Sequence, residues 1–145
     1  GMENVEFLRM GSIHRNTFIK SPDLLDTSNR LTSHPRIRFA GQITGVEGYV
    51  ESTACGLLTA LHLAGQRLNQ SFSAPPPETA LGAMMGHIHQ YSGHDFQPHN
   101  IHFGLFPPLT GRKMKKAERK AAHADRARQA MSSWMTSLGL KPLVP

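Results

Sequence analysis

The sequence predicts a small α+β domain of three helices and short strands, and three observations carry that prediction. Residues 48–69 and 78–91 hold apolar side chains at helical spacing, with turn residues at their ends. A long basic stretch near the C-terminus continues the same spacing. Short apolar and β-branched runs, broken by glycine and proline, separate these segments. A chain of 145 residues suits one domain with a modest core, here taken as 1–145.

Residues 5–20, VEFLRMGSIHRNTFIK, mix apolar and polar positions and read as an extended segment broken near Gly11. Ser21-Pro22 and His34-Pro35 bound a loop with a short central strand. Ile37, Phe39 and Ala40 form a short buried strand that runs into Gly41. The clearest helix follows, with Ala54, Leu57, Leu58, Leu61, Ala64 and Leu68 as its stripe. SFSAPPPE is a linker, and its prolines favour a helix start with Glu78 in the first turn. ETALGAMMGHIHQY is a second helix, weakened by Gly82 and Gly86, and FQPHNIHFGLFPPL is extended and irregular. The third helix spans about 112–138. Its stripe of Ala117, Ala121, Ala124 and Ala127 packs thinly, and Met131, Trp134 and Leu138 anchor it. Gly139 stops it and Pro142 prevents continuation.

Charge is unevenly placed. Arg112, Lys113, Lys115, Lys116, Arg119, Lys120, Arg126 and Arg128 face only Glu118 and Asp125, while the remaining eight basic and eight acidic residues cancel. The whole net charge of +6 therefore lies in one stretch. Such a field attracts polyanions, nucleic acid first among them. The alternative for these residues is a solvated helix face, but two acids among eight bases leave little internal pairing.

No apolar run approaches the roughly 20 residues of a spanning helix, so a membrane protein is not expected. GMENVEFL has neither a basic region nor an apolar one, and is not expected to be a signal peptide. Gly1 ahead of Met2 reads as a cloning remnant, with Met2 the native start. The single cysteine fits a reducing cytoplasm.

Gly41, Gly45 and Gly48 lie between a strand pattern and a helix, where backbone N–H groups favour an anion or an electron-rich ring edge. The spacing is neither G-x-G-x-x-G nor a phosphate-binding loop, and a plain tight turn is the simpler reading of it. His14, Arg15, Asn16 and Thr17 sit between Ile13 and Phe18, where a histidine could stack on a flat ligand and Arg15 could hold an anion. An exposed edge strand is the simpler reading. His87, His89, His94, His99 and His102 fall within sixteen residues, but the first pair diverges on a helix and no carboxylate or cysteine completes a set. No metal is expected. Cys55 reads as a small core residue, with nothing nearby to act as its base. Arg112, Lys116, Arg119, Lys120 and His123 lie along one side of the basic helix.

FLRMGSIHRNTFIKSPDLL, IRFAGQITGVEGYVESTACGLLTAL, PPPETALGAMM and FQPHNIHFGLFPPL resemble, in order, the C-terminal part of TrmFO. TrmFO enzymes are folate- and FAD-dependent tRNA (uracil-5-)-methyltransferases. The resemblance implies a FAD-facing set of Gly41, Gln42, Thr44, Gly45, Glu47, Gly48, Tyr49 and Glu51. It implies a folate border of His14, Arg15, Asn16 and Thr17, with His14 on the pterin, and a basic helix facing tRNA. It also marks departures. The family's N-terminal Rossmann unit and its catalytic cysteines have no counterpart here, Cys55 stands where the family has a small residue, and His99 stands where Met is expected. The resemblance thus implies the remnant of a FAD-binding domain, with no catalytic residue of its own and no cofactor retained alone.

The expectation is a truncated TrmFO-like protein, inactive by itself, that binds tRNA or other nucleic acid, DNA included, through its basic helix. One alternative is a subunit of a split FAD- and methylenetetrahydrofolate-dependent enzyme, completed by a partner protein. Another is a scaffold or remnant. Exposed strand edges would make a homodimer plausible.

Overall fold

A computed structural model describes residues 3–6, 16–111 and 114–141. Four helices organise it: α1 (Ser21–Leu24), α2 (Tyr49–Leu68), α3 (Ala80–Gln90) and α4 (Lys116–Ser137). Short 3₁₀ turns at Gly41–Thr44 and Phe103–Leu105 join them. The three expected helices are present. The α+β class is corrected to a helical one, because the β-pairing among the described residues is three isolated bridges: Leu25 with Leu31, Arg30 with Arg38, and Val46 with His99.

The buried strand expected at Ile37, Phe39 and Ala40 is instead a connection with Ile37 46% exposed, Ala40 exposed and Phe39 half-buried. Residues 21–35, expected as a loop, begin with α1, where Pro22 sets the first turn and Lys20 pairs with Asp23 at 2.8 Å. Asp26 then organises the turn. It accepts from the Ser28 N–H at 2.9 Å, the Ser28 hydroxyl at 2.7 Å, the Arg30 N–H at 3.0 Å and Arg30 Nε at 2.8 Å. Burial pushes the Asp26 carboxyl up, but these bonds outweigh it and hold the group down at about 2.

Asn29 follows in the left-handed region, at φ 59°. Its side chain is fully buried and joins three elements. Nδ2 donates to Thr59 Oγ1 at 2.7 Å and to Cys55 Sγ at 3.4 Å, both on α2. Oδ1 lies 2.7 Å from His89 Nε2 on α3. Because Oδ1 can only accept, His89 Nε2 carries the proton. Burial pushes His89 down to about 4, so the ring stays neutral. Cys55 is fully buried and serves as a small core residue.

The core gathers Val46, Cys55, Leu58, Met84, Met85, Ile88 and Phe96. Helix α3 starts on Thr79, whose hydroxyl accepts from the Gly82 N–H at 3.0 Å and donates to the Pro76 carbonyl at 2.7 Å. Helix α2 departs from the expected stripe. Its buried side is Cys55, Leu58, Thr59 and Gly65, with Leu61 and His62 half-buried. Leu57 and Leu68, expected in the core, are 58% and 65% exposed, and Ala64 is exposed as well.

Candidate nucleic-acid interface and glycine turn

The glycine turn is built on tight backbone packing. Ala40 is extended and Gly41 opens the 3₁₀ turn. Gly45 ends it at φ 95°, and a Cβ there would stand 2.4 Å from Phe96 Cζ. Only glycine meets both conditions. Val46 is fully buried and bridges to the 96–102 segment: Glu47 N–H donates to the His99 carbonyl at 3.0 Å, and His99 N–H to the Gly45 carbonyl at 3.1 Å. Gly48 then turns the chain into α2 at φ 94°, where a Cβ would meet Glu51 Oε2 at 2.3 Å.

The eight residues of the FAD-facing set divide. Thr44 is fully buried and its hydroxyl donates to the Gly41 carbonyl at 2.7 Å. Glu51 accepts from the Ile101 N–H at 3.2 Å and ties the start of α2 to the 96–102 segment after α3. Gly45 is buried under Phe96. These three hold the turn together. Gln42 and Tyr49 are exposed, Tyr49 at 95%, and Gly41, Glu47 and Gly48 are half-buried. The Gly48 backbone and the Tyr49 side chain are thus the parts of the set left at the surface beside the start of α2. Of the folate set, Asn16 is half-buried and Thr17 exposed, while His14 and Arg15 lie outside the described residues.

His87 and His89 diverge as their helical spacing predicts, while His87, His99 and His102 come together, with ring centroids 5.1 Å and 5.7 Å apart. His87 Nε2 lies 3.0 Å from the Gln97 carbonyl and its ring stacks on Phe96 at 5.2 Å. Burial pushes His87 down, with the charges of His99 and His102 adding to it, against the Gln97 hydrogen bond. His89 faces Asn29 instead. No group of three or more His, Cys, Asp and Glu among the described residues has metal-holding geometry.

Helix α4 has two different halves. The rear half is anchored. His123 is buried, with its ring 5.2 Å from Phe103 and 5.9 Å from Phe106. Burial, then the charges of Arg126 and Arg119, push its pKa down. Arg126 donates to the Pro108 carbonyl at 3.0 Å and also to the Pro107 carbonyl. Trp134 Nε1 donates to Ser73 at 3.1 Å. His123 therefore leaves the basic side expected for it. Arg126 acts as a clamp, and Arg128 pairs with Asp125. Sequence spacing could not find this clamp, because its partners are backbone carbonyls in a proline loop distant in the chain.

The front half is open. Every residue from 115 to 121 is exposed, including Lys115, Lys116, Arg119 and Lys120. Lys115 is the N-cap residue and makes no side-chain capping bond. Positive side chains at a helix N-terminus oppose the macrodipole, at a cost of about 0.3–1 kcal/mol each. Arg112 and Lys113 lie outside the described residues. Among the described residues no helix is long and apolar enough to cross a membrane.

Comparison with known proteins places the chain. The family model described as glucose inhibited division protein A matches residues 1–71. The methylenetetrahydrofolate–tRNA-(uracil-5-)-methyltransferase TrmFO of Syntrophotalea carbinolica is 54% identical over 134 residues, which is 92% of this chain and 29% of that protein. The TrmFO proteins of Rhizorhabdus wittichii and Myxococcus xanthus are 52% and 51% identical, over 98% and 97% of this chain and 33% and 31% of their own lengths. At this identity over nearly all of its residues, the chain matches TrmFO proteins and spans about 30% of the length of the relatives it matches.

Proposed function

We propose that this chain binds nucleic acid, tRNA foremost, through the open front half of α4. The observation that carries the reading is the cluster of Lys115, Lys116, Arg119 and Lys120 on a helical segment exposed on all sides. Cations placed against the macrodipole destabilise the helix end, and a bound polyanion offsets that cost. The names of the relatives supply tRNA as the target. The contacts are to phosphates, so binding is weakly sequence-specific.

Fluorescence anisotropy with labelled tRNA and duplex DNA across a salt series tests this. Replacing all four residues with alanine is expected to weaken tRNA binding at least tenfold and to flatten the logarithmic salt dependence by about three to four. Affinity and slope unchanged by the substitutions would refute the reading. Arg126 is kept because it clamps α4 to the Pro107 and Pro108 carbonyls, and Arg128 because it pairs with Asp125 within the helix.

A second reading rests on the glycine turn, where Tyr49 and the backbone of Gly48 remain reachable. Here the chain contributes one side of a FAD and folate site in a tRNA uracil-5-methyltransferase, completed by further protein. Titrating FAD into the chain alone is expected to quench little flavin fluorescence, and quenching is expected to appear once the remainder of a TrmFO chain is added. No change on that addition would count against this reading.

A further inference from the structure

Helix α2 is apolar on two sides, and only one of them is covered. The side away from the core carries Val50, Leu57, Ala64 and Leu68, flanked by Ala60. Val50 is 79% exposed, Leu57 58% and Leu68 65%. The charged residue on this outer side is Arg67, exposed at its C-terminal end beside Leu68. A contiguous exposed patch of this kind marks an interaction surface.

The occupant follows from the family match. Residues 49–68 lie inside the region shared with the glucose inhibited division protein A model. The chain accounts for only 29–33% of its relatives' length. We propose that the outer face of α2 is a docking surface for the part of a TrmFO chain that lies outside the matched third. Apolar side chains face out because the structure that covers them is in the other two thirds. Tyr49, 95% exposed at the head of the same helix, extends the contact to the glycine turn. The inference rests on the match to TrmFO proteins and on α2, and is independent of nucleic-acid binding by α4.

The test has two arms. In the first, the chain is co-expressed with a tagged complementary part of the Syntrophotalea carbinolica protein. A stable one-to-one complex is expected, at least tenfold weaker for the Leu57→Lys/Leu68→Lys chain. Both leucines are exposed, so the variant is expected to keep its helical circular dichroism. Absence of a complex, or a complex indifferent to the lysines, overturns the proposal. So does a wild-type homodimer that the lysines dissolve, which would assign the face to a second copy. The second arm does not depend on the complementary part folding alone. Leu57→Cys in this chain and the same substitution at the matching position of the intact relative are labelled with a maleimide and read by mass spectrometry. Labelling at least tenfold slower in the intact relative is expected, and equal rates overturn the proposal.

Discussion

Replacing Asn29 with glycine is expected to lower stability by about 2–4 kcal/mol, read as a shifted midpoint in urea denaturation. Glycine tolerates φ 59° at no steric cost, so the loss reports the side chain alone. That side chain connects the 25–40 segment to α2 through Thr59 and Cys55, and to α3 through His89. Its removal leaves the His89 N–H buried without its acceptor. Asn29→Ala adds backbone strain and is expected to cost about 1 kcal/mol more. The node also carries a pH signature. His89 is held near 4 when folded, against an ordinary value of 6.5, so the unfolded chain binds its proton first. This contribution is complete above pH 6.5 and is lost as pH falls towards about 4. An Asn29→Gly chain with an unchanged midpoint would show that the node does not hold the three elements together.

Gly45→Ala is the second large effect, expected at about 2–4 kcal/mol from two causes acting together. The backbone at φ 95° disfavours any side chain, and the added methyl would meet the Phe96 ring at 2.4 Å. Phe96 cannot swing away cheaply, because it packs on His87, Tyr91 and Phe18. Displacing it would also loosen the pairing of Val46 with His99. The cost is therefore expected in the thermal midpoint and in faster hydrogen exchange at the Glu47 and His99 amides. A neutral Gly45→Ala would mean that the turn relaxes freely and is not shaped by Phe96. Gly111→Ala gives the contrast: its φ is also positive, but a Cβ there meets nothing within 4 Å, so only the backbone part of the cost is expected.

The three long helices were legible because their spacing and end residues agree: Thr79 caps α3 and Gly139 follows α4. The strands were not, because β-branched and aromatic runs such as Ile37–Phe39 suit a pleated sheet only when a neighbour pairs with them. Here Leu31 and Asn29 meet that segment through single backbone bonds instead. The stripe on α2 was read correctly as apolar, and its Ala54, Leu58 and Leu61 pack on the core, but Leu57, Ala64 and Leu68 face out, since periodicity reports hydrophobicity and not what covers it. The positive charge on α4 was legible as a total. Its division was not: His123 and Arg126 turn inward to aromatic rings and proline carbonyls that no local pattern reveals. Likewise, the glycine turn showed in the sequence, but Thr44 and Glu51 give their polar atoms to the fold itself.

The anchoring of α4 by His123, Arg126 and Trp134 has a kinetic consequence. A flexible basic tail must be ordered when it meets its target, and that ordering opposes affinity. The front of α4 is the continuation of a clamped 22-residue helix, so its cations are already in place when an anion arrives. The encounter is then governed by diffusion in the field of a fixed charge array. On the proposed reading, association should be fast and should slow steeply as salt rises, whereas Arg126→Ala, which removes one positive charge behind the front cluster and cuts the clamp, should leave Lys115, Lys116, Arg119 and Lys120 in the chain but slow the productive docking step.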